Sequence, residues 1–202
     1  MKLYNNGFAP SPRRVRMFAA EKGLALDIVE LDIAAGATQT AEFLAINPLG
    51  ETPVLELDDG TRLTESLAIC RYLEALYPEP NLFGRAPLEA ARIEAATLQL
   101  MFRAYVPSRD AFRHTHRFWA QRLRQIPDWG EESRSLALAE WRRWDSVLAR
   151  QPFVAGERFS FADIVAFTTL EFGKPGGIRP LEELPHLARW REAIAARPSA
   201  AA

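Results

Sequence analysis

The chain has 202 residues, 48% apolar and 25% charged, with 25 basic and 26 acidic side chains, a composition that suits one large globular domain or two small ones. Its single cysteine, Cys70, excludes an intramolecular disulfide; no apolar run is long enough to cross a bilayer, and a formal charge of -1 sets up no field that would recruit nucleic acid or an anionic membrane. The opening Met1-Lys2-Leu3-Tyr4-Asn5-Asn6 lacks the apolar core of a secretory segment, so a reducing cytoplasm is the expected compartment.

In chain order, residues 2–5 are expected to form a short strand. Ser11-Pro12 supplies an N-cap and a proline at the first helical position. In the helix that follows, Val15, Phe18, Ala19 and Lys22 keep helical spacing, Arg13 and Arg16 face water, and Gly23 takes the left-handed position after the last turn. A second strand is expected at 28–31, then a weakly patterned polar loop over 34–44 with a helical turn around 42–45. The β-like runs 53–57 and 62–64 flank Asp58-Asp59-Gly60-Thr61, a hairpin signal, and 66–77 reads as a helix. The resulting order is β-α-β-α-β-β-α.

Pro78, Pro80 and Pro87 surround Asn81-Leu82-Phe83-Gly84 and mark a linker over 79–87, between a domain at 1–78 and a second at 88–202. Beyond it the period-two pattern disappears. Ile93, Thr97, Leu100 and Ala104 keep helical spacing, as do Ala137, Trp141, Trp144 and Leu148; further helices are expected at 161–172 and 184–196, with 197–202 frayed. There is no internal repeat. Charge differs between the halves: residues 1–80 carry 7 basic and 12 acidic side chains, the remainder 18 and 14. Arg113, Arg117 and Arg124 are expected on one solvated helix face, not on a nucleic-acid surface.

Three segments carry a family resemblance: Asn47-Pro48-Leu49-Gly50-Glu51-Thr52-Pro53-Val54-Leu55, Thr64-Glu65-Ser66-Leu67-Ala68-Ile69, and Ser160-Phe161-Ala162-Asp163-Ile164. With the opening Lys2-Leu3-Tyr4 and Arg14-Val15-Arg16, their order and spacing resemble those of the glutathione S-transferase family over essentially the whole chain. The resemblance implies an α+β N-terminal thioredoxin-like domain followed by an all-α C-terminal helical domain. It implies a cytoplasmic, bacterial-type detoxification enzyme, a homodimer that takes glutathione as co-substrate, needs no metal, and attacks a hydrophobic small-molecule electrophile or a peroxide. It also implies a cis bond before Pro53, with the Thr52 backbone pairing with the cysteinyl residue of glutathione as a miniature strand. Ser66, at a helix start, is then expected to hold the γ-glutamyl carboxylate and Glu65 the γ-glutamyl ammonium. Read alone, Ser66 is a plain N-cap and Glu65 a surface carboxylate. Ser160 and Asp163 have the spacing of a reciprocal cap and are structural.

The implied chemistry requires glutathione as thiolate. Counted from Arg14-Val15-Arg16 and Gly23, the family's tyrosine position falls near Asn5, its serine position near Ala9 and its cysteine position at Ser11. Ser11 is therefore the first candidate to stabilise the thiolate, and as a serine before proline it is equally a helix cap. Tyr4, on a central strand, is expected to be packed. Backbone N–H groups, Asn5 or Asn6 are the other candidate donors, with Arg14 and Arg16 as sources of positive potential. Glu51 stands where the family often carries a basic residue beside the glycyl carboxylate, with Gln39 placed to compensate. Phe8, Met101 and Tyr105 are the expected walls of the electrophile pocket. His114-x-His116 lies far from His186 in sequence, so no metal is expected, and Cys70 reads as a buried structural thiol. The alternative reading is a catalytically weak binding or regulatory module acting through a protein partner. Ala9 and Glu51 favour it, whereas Thr52-Pro53, Glu65 and Ser66 favour the enzyme.

Overall fold

A four-stranded sheet in the order β2-β1-β3-β4 organises the first part of the chain. Strand β1 (Lys2–Asn5) pairs parallel with β2 (Asp27–Glu30) and antiparallel with β3 (Val54–Glu56), which pairs antiparallel with β4 (Arg62–Thr64). A parallel pair needs a crossover, and α1 (Pro10–Glu21) supplies it. Helix α1 packs on α3 (Ser66–Leu76), and Leu3, Val15, Met17, Phe18, Leu55, Ile69, Cys70 and Leu73 are fully buried. A short α2 (Ala41–Leu44) is capped by Thr40, whose hydroxyl accepts the Phe43 N–H at 3.3 Å. The computed structural model describes all 202 residues, in two compact units: Met1–Asn81 with Pro198–Ala202, and Leu82–Arg197.

Three expectations for the first unit are corrected. Helix α1 starts at Pro10 with Ala9 as N-cap, so Ser11 lies within the first turn and caps nothing. The reason is that the first helical N–H groups have no intrahelical partner, so both Pro10 and Pro12 fit there without losing a bond. Arg13 and Arg16 of α1 are only partly exposed and are engaged by the protein, and Arg14 between them is fully buried. Arg13 donates to the Ala200 carbonyl at 2.8 Å, and Arg16 donates to the Asn5 side chain. Residues 198–201, expected to fray, form a 3-10 turn against α1, with Ser199 buried and its hydroxyl bonded to Glu21.

The second unit is helical: α4 (Pro87–Gln99), α5 (Val106–Thr115), α6 (Pro127–Leu148), α7 (Phe161–Phe172) and α8 (Pro185–Ala195). Ile93, Thr97, Leu100 and Ala104, and also Ala137, Trp141, Trp144 and Leu148, are buried as their spacing requires. Between α4 and α5 the chain keeps turning through a π-helical segment, Leu100–Tyr105. Pro107 accounts for it, since a proline inside a helix has no N–H to donate and crowds the carbonyl four residues earlier. Arg113, Arg117 and Arg124 do not share a helix face, because α5 ends at Thr115. There the Gln125 amide donates to the Arg113 and His116 carbonyls, both at 2.9 Å, the His116 N–H donates to the Phe112 carbonyl at 3.1 Å, and His116 Nδ1 accepts the Phe118 N–H, so side chain and backbone brace the chain as it leaves the helix.

Helix α7 is buried from Phe161 to Leu170, and the Ser160–Asp163 capping box forms. The Asp163 carboxylate accepts from Val154 N (3.0 Å), Ser160 N (3.0 Å), Ser160 Oγ (3.1 Å) and Trp190 Nε1 (2.9 Å). Burial nonetheless pushes its carboxyl up to about 6. No helix of either unit is long and apolar enough to cross a membrane.

Candidate functional site

The sheet register gathers the predicted binding residues at one end of the first unit. Val54 pairs with Thr64 and Tyr4 with Val54. The β3–β4 ladder ends at the Val54–Thr64 pair, and after Glu65 the chain turns directly into α3 at Ser66. The N-terminal end of β3, the C-terminal ends of β1 and β4, and the start of α3 therefore converge. The peptide bond between Thr52 and Pro53 is cis.

Polar groups at this end lack protein partners. The Thr52 N–H and C=O make no hydrogen bond within the unit. Glu65 occupies the N-cap position of α3 without capping it, and its carboxylate is exposed. Ser66 is the first helical residue and not the cap, is only 4% exposed, and its hydroxyl bonds to no protein group. Since no side chain caps α3, its first N–H groups remain available to an anion, which the helix dipole also favours. Glu65 has φ 65° and ψ 116°, left-handed backbone that a non-glycine residue adopts at a cost of about 1–3 kcal/mol. The arrangement presents a strand-like N–H and C=O pair, an anion-binding helix start and a carboxylate. An extended peptide-like molecule carrying an ammonium and a carboxylate at one end matches that set.

The approach to Thr52 is rigidly built. Asn47 is buried, donates from Nδ2 to the Glu51 carbonyl at 2.8 Å and accepts the Leu49 N–H at 3.2 Å. Gly50, at φ 62°, closes the turn where a Cβ would lie 2.9 Å from the Thr38 carbonyl. The Gln39 amide leans on the Gly50 carbonyl at 3.4 Å, which places Gln39 next to the Gly50-Glu51 segment. The Glu51 side chain is exposed.

On the β1–α1 side, Ser11 is half-buried and its hydroxyl accepts only a long bond, 3.5 Å, from Arg14. Tyr4 is turned elsewhere: its hydroxyl donates to Glu56 at 3.4 Å and its ring packs edge-on against Phe43. Asn5 is buried, and its amide accepts from Arg16 and donates to Glu30. Asn6 donates to the Leu31 carbonyl at 2.8 Å and accepts the Ala9 N–H at 3.1 Å. Burial and the neighbouring Arg13 pull the Arg16 guanidinium below its ordinary range, with Glu30 opposing them. Cys70 is fully buried, and burial raises its thiol well above the usual value against the pull of Arg14, so it is no nucleophile at neutral pH.

Sequence reasoning did not find Glu30, nor Asn47 as the brace of the turn. Phe8 is 66% exposed in the first unit; in the second, Met101 and Tyr105 are half-buried on the π-helical segment, with Tyr105 against Phe172. His114 and His116 each accept a backbone N–H at Nδ1, from Ile126 at 3.1 Å and Phe118 at 3.2 Å, and so hold the α5–α6 connection.

Comparison with known proteins places these features in a wider set. Residues 8–76 match the family model for the N-terminal domain of glutathione S-transferases, and residues 132–198 match that for the C-terminal domain. Glutathione S-transferase 2 of Saccharomyces cerevisiae is 35% identical, across 98% of this chain and 87% of the yeast protein. A glutathione S-transferase domain-containing protein of Marinobacter aquaeolei VT8 superposes with a TM-score of 0.92 at 36% identity, covering 98% of this chain and 99% of that one. A glutathione transferase homologue from Sulfitobacter, solved with bound glutathione, superposes with a TM-score of 0.84 at 27% identity, over 99% and 94% of the two chains.

Proposed function

The chain belongs to the glutathione S-transferase family and is a glutathione transferase, and from that premise we propose which of its residues bind glutathione and activate its thiol. The carrying observation is the set of unpaired groups at one sheet end: the Thr52 backbone, the Glu65 carboxylate, the Ser66 hydroxyl and the uncapped start of α3. The Thr52 N–H and C=O pair antiparallel with the cysteinyl backbone of glutathione. The γ-glutamyl carboxylate lies on Ser66 and the first N–H groups of α3, and its ammonium on Glu65. In an antiparallel pairing the glycyl end runs back toward Glu51, where like charge weakens binding and the Gln39 amide is the nearest neutral donor.

Asn5 and Asn6 are engaged elsewhere and Tyr4 points to Glu56, which leaves the Ser11 hydroxyl as the side chain to donate to the sulfur. The thiol proton passes to solvent, the thiolate forms a carbon–sulfur bond with the electrophile, and the leaving group departs with the electron pair; the main catalytic contribution is stabilisation of the anionic sulfur. On the second unit, Met101 and Tyr105 offer apolar surface to the hydrophobic co-substrate. We assign the protein to the cytoplasm, to detoxification, and to a homodimer. Leu88, Leu98 and Phe102, respectively 62%, 41% and 67% exposed along α4 and its π-helical continuation, support the dimer as an uncovered apolar row.

A calorimetric titration with reduced glutathione tests the site. Binding in the micromolar to low millimolar range is expected, lost in Glu65→Ala; in Ser11→Ala binding should persist while conjugation slows by roughly tenfold or more. No heat from the wild-type protein would overturn the glutathione site. An unchanged rate in Ser11→Ala would transfer the thiolate to backbone donors.

A further inference from the structure

We propose that Arg16, Asn5 and Glu30 form a positioning chain that holds the β1–α1 turn in place beneath the glutathione thiol. The inference rests on the reading above, in which the thiol lies at that turn beside Ser11. Arg16 Nη1 donates to Asn5 Oδ1, Asn5 Nδ2 donates to one oxygen of Glu30, and the other oxygen of Glu30 accepts the Gly7 N–H at 2.6 Å. Gly7 belongs to the turn between β1 and α1, whose far side is closed by Ala9 N donating to Asn6 O and Oδ1, both at 3.1 Å.

Strand pairing alone does not require this chain. Strands β1 and β2 are already in register from Lys2↔Asp27 to Asn5↔Glu30, and Leu31 N closes the ladder onto the Asn5 carbonyl at 2.8 Å. The side chains form a second layer, and that layer terminates on a backbone N–H of the turn. Glu30 sits on the exposed edge strand, yet both its oxygens are used inward. At the other end Arg16 is anchored: Nη2 reaches the Ala202 carbonyl at 3.5 Å, Arg13 holds the Ala200 carbonyl at 2.8 Å, and Ser199 bonds Glu21. The C-terminal turn and the thiol-bearing turn are thus tied to one guanidinium. A fork with several donors can make both contacts where a single ammonium cannot.

None of these three residues touches the substrate, so their effect should fall on thiolate formation and not on glutathione affinity. In the full chain, Glu30→Gln and Arg16→Gln are each expected to lower kcat about tenfold, because reacting groups are displaced and not removed. The acid limb of the kcat/KM–pH profile with a chlorodinitrobenzene should move up by about one unit, while the calorimetric Kd for glutathione stays within about twofold. Arg16→Lys should recover part of the loss. A wild-type-like pH limb in Glu30→Gln, or a loss of glutathione affinity as large as the loss of rate, would overturn the proposal; Glu30 lies on an exposed edge, so that variant decides even if Arg16→Gln does not fold. A wild-type protein that binds no glutathione would remove the functional reading itself, and the positioning role with it.

Discussion

Glu65, proposed to hold the γ-glutamyl ammonium, carries a conformational cost. Its backbone lies where only glycine is free of steric penalty, and its carboxylate has no protein partner to offset that. Side chain and backbone therefore separate in two variants. Glu65→Ala should lose glutathione and keep the strain, whereas Glu65→Gly should lose glutathione yet unfold in denaturant with a stability at least equal to wild type and up to about 1 kcal/mol higher, strain relief exceeding the entropy glycine adds to the unfolded chain. A glycine variant clearly less stable than the alanine variant would show that the residue is not strained. Thr52, Glu65 and Ser66 could be proposed from the sequence because each lies in a continuous run with its own local chemistry. Glu30 was not, because its partners Asn5 and Gly7 are some 23 to 25 positions away and meet it only through the parallel pairing of β1 with β2.

At the level of elements, the turn from Asn47 to Gly50 sets where β3 begins and therefore where Thr52 stands. Gly50 has φ 62°, and a Cβ there would press on the Thr38 carbonyl at 2.9 Å and still more closely on the Gln39 amide. Gly50→Ala should destabilise the fold by about 1–2 kcal/mol and weaken glutathione in parallel, read from denaturant unfolding and a titration on the same protein. Unchanged affinity alongside lost stability would mean that the turn does not position Thr52. The other elements show the same dependence on local accounting. Helix α1 takes Pro10 as its first residue because the first turn has N–H groups to spare, and the α4–α5 run widens into π-helix ahead of Pro107 because a helix interior has none.

For the whole molecule, Asp163 links folding to pH. Its folded value of about 6 lies above the ordinary 3.8, so the folded state holds the proton more tightly than the unfolded chain. The stabilisation this gives is complete below about pH 4 and is lost as pH rises through about 6, a change of about 3 kcal/mol. Other carboxyls move the opposite way, such as Glu89, drawn down to about 2 by Arg158 and the Arg85 N–H, but they are common to wild type and variant and cancel in a comparison. Asp163→Asn should start lower by about 1–3 kcal/mol, since its amide must face an N–H donor. The wild-type advantage should then fall by about 3 kcal/mol between about pH 4 and just above pH 6, closing or reversing, and stay level above, measured by unfolding across that range. A gap that widens over the window would contradict the assignment.

Sequence alone determined the element order, the helical core rows and the paired motifs at Thr52-Pro53 and Glu65-Ser66, because periodicity, proline and glycine act over a few neighbouring residues. Tertiary structure decided that Asn5 and Asn6 are consumed by the β1–α1 corner, that Arg14 is buried and Arg16 bridges two distant segments, and that the C-terminal turn rests on α1. Those outcomes depend on which buried polar groups find partners, and a partner many residues away is supplied by strand register and helix packing, not by local pattern.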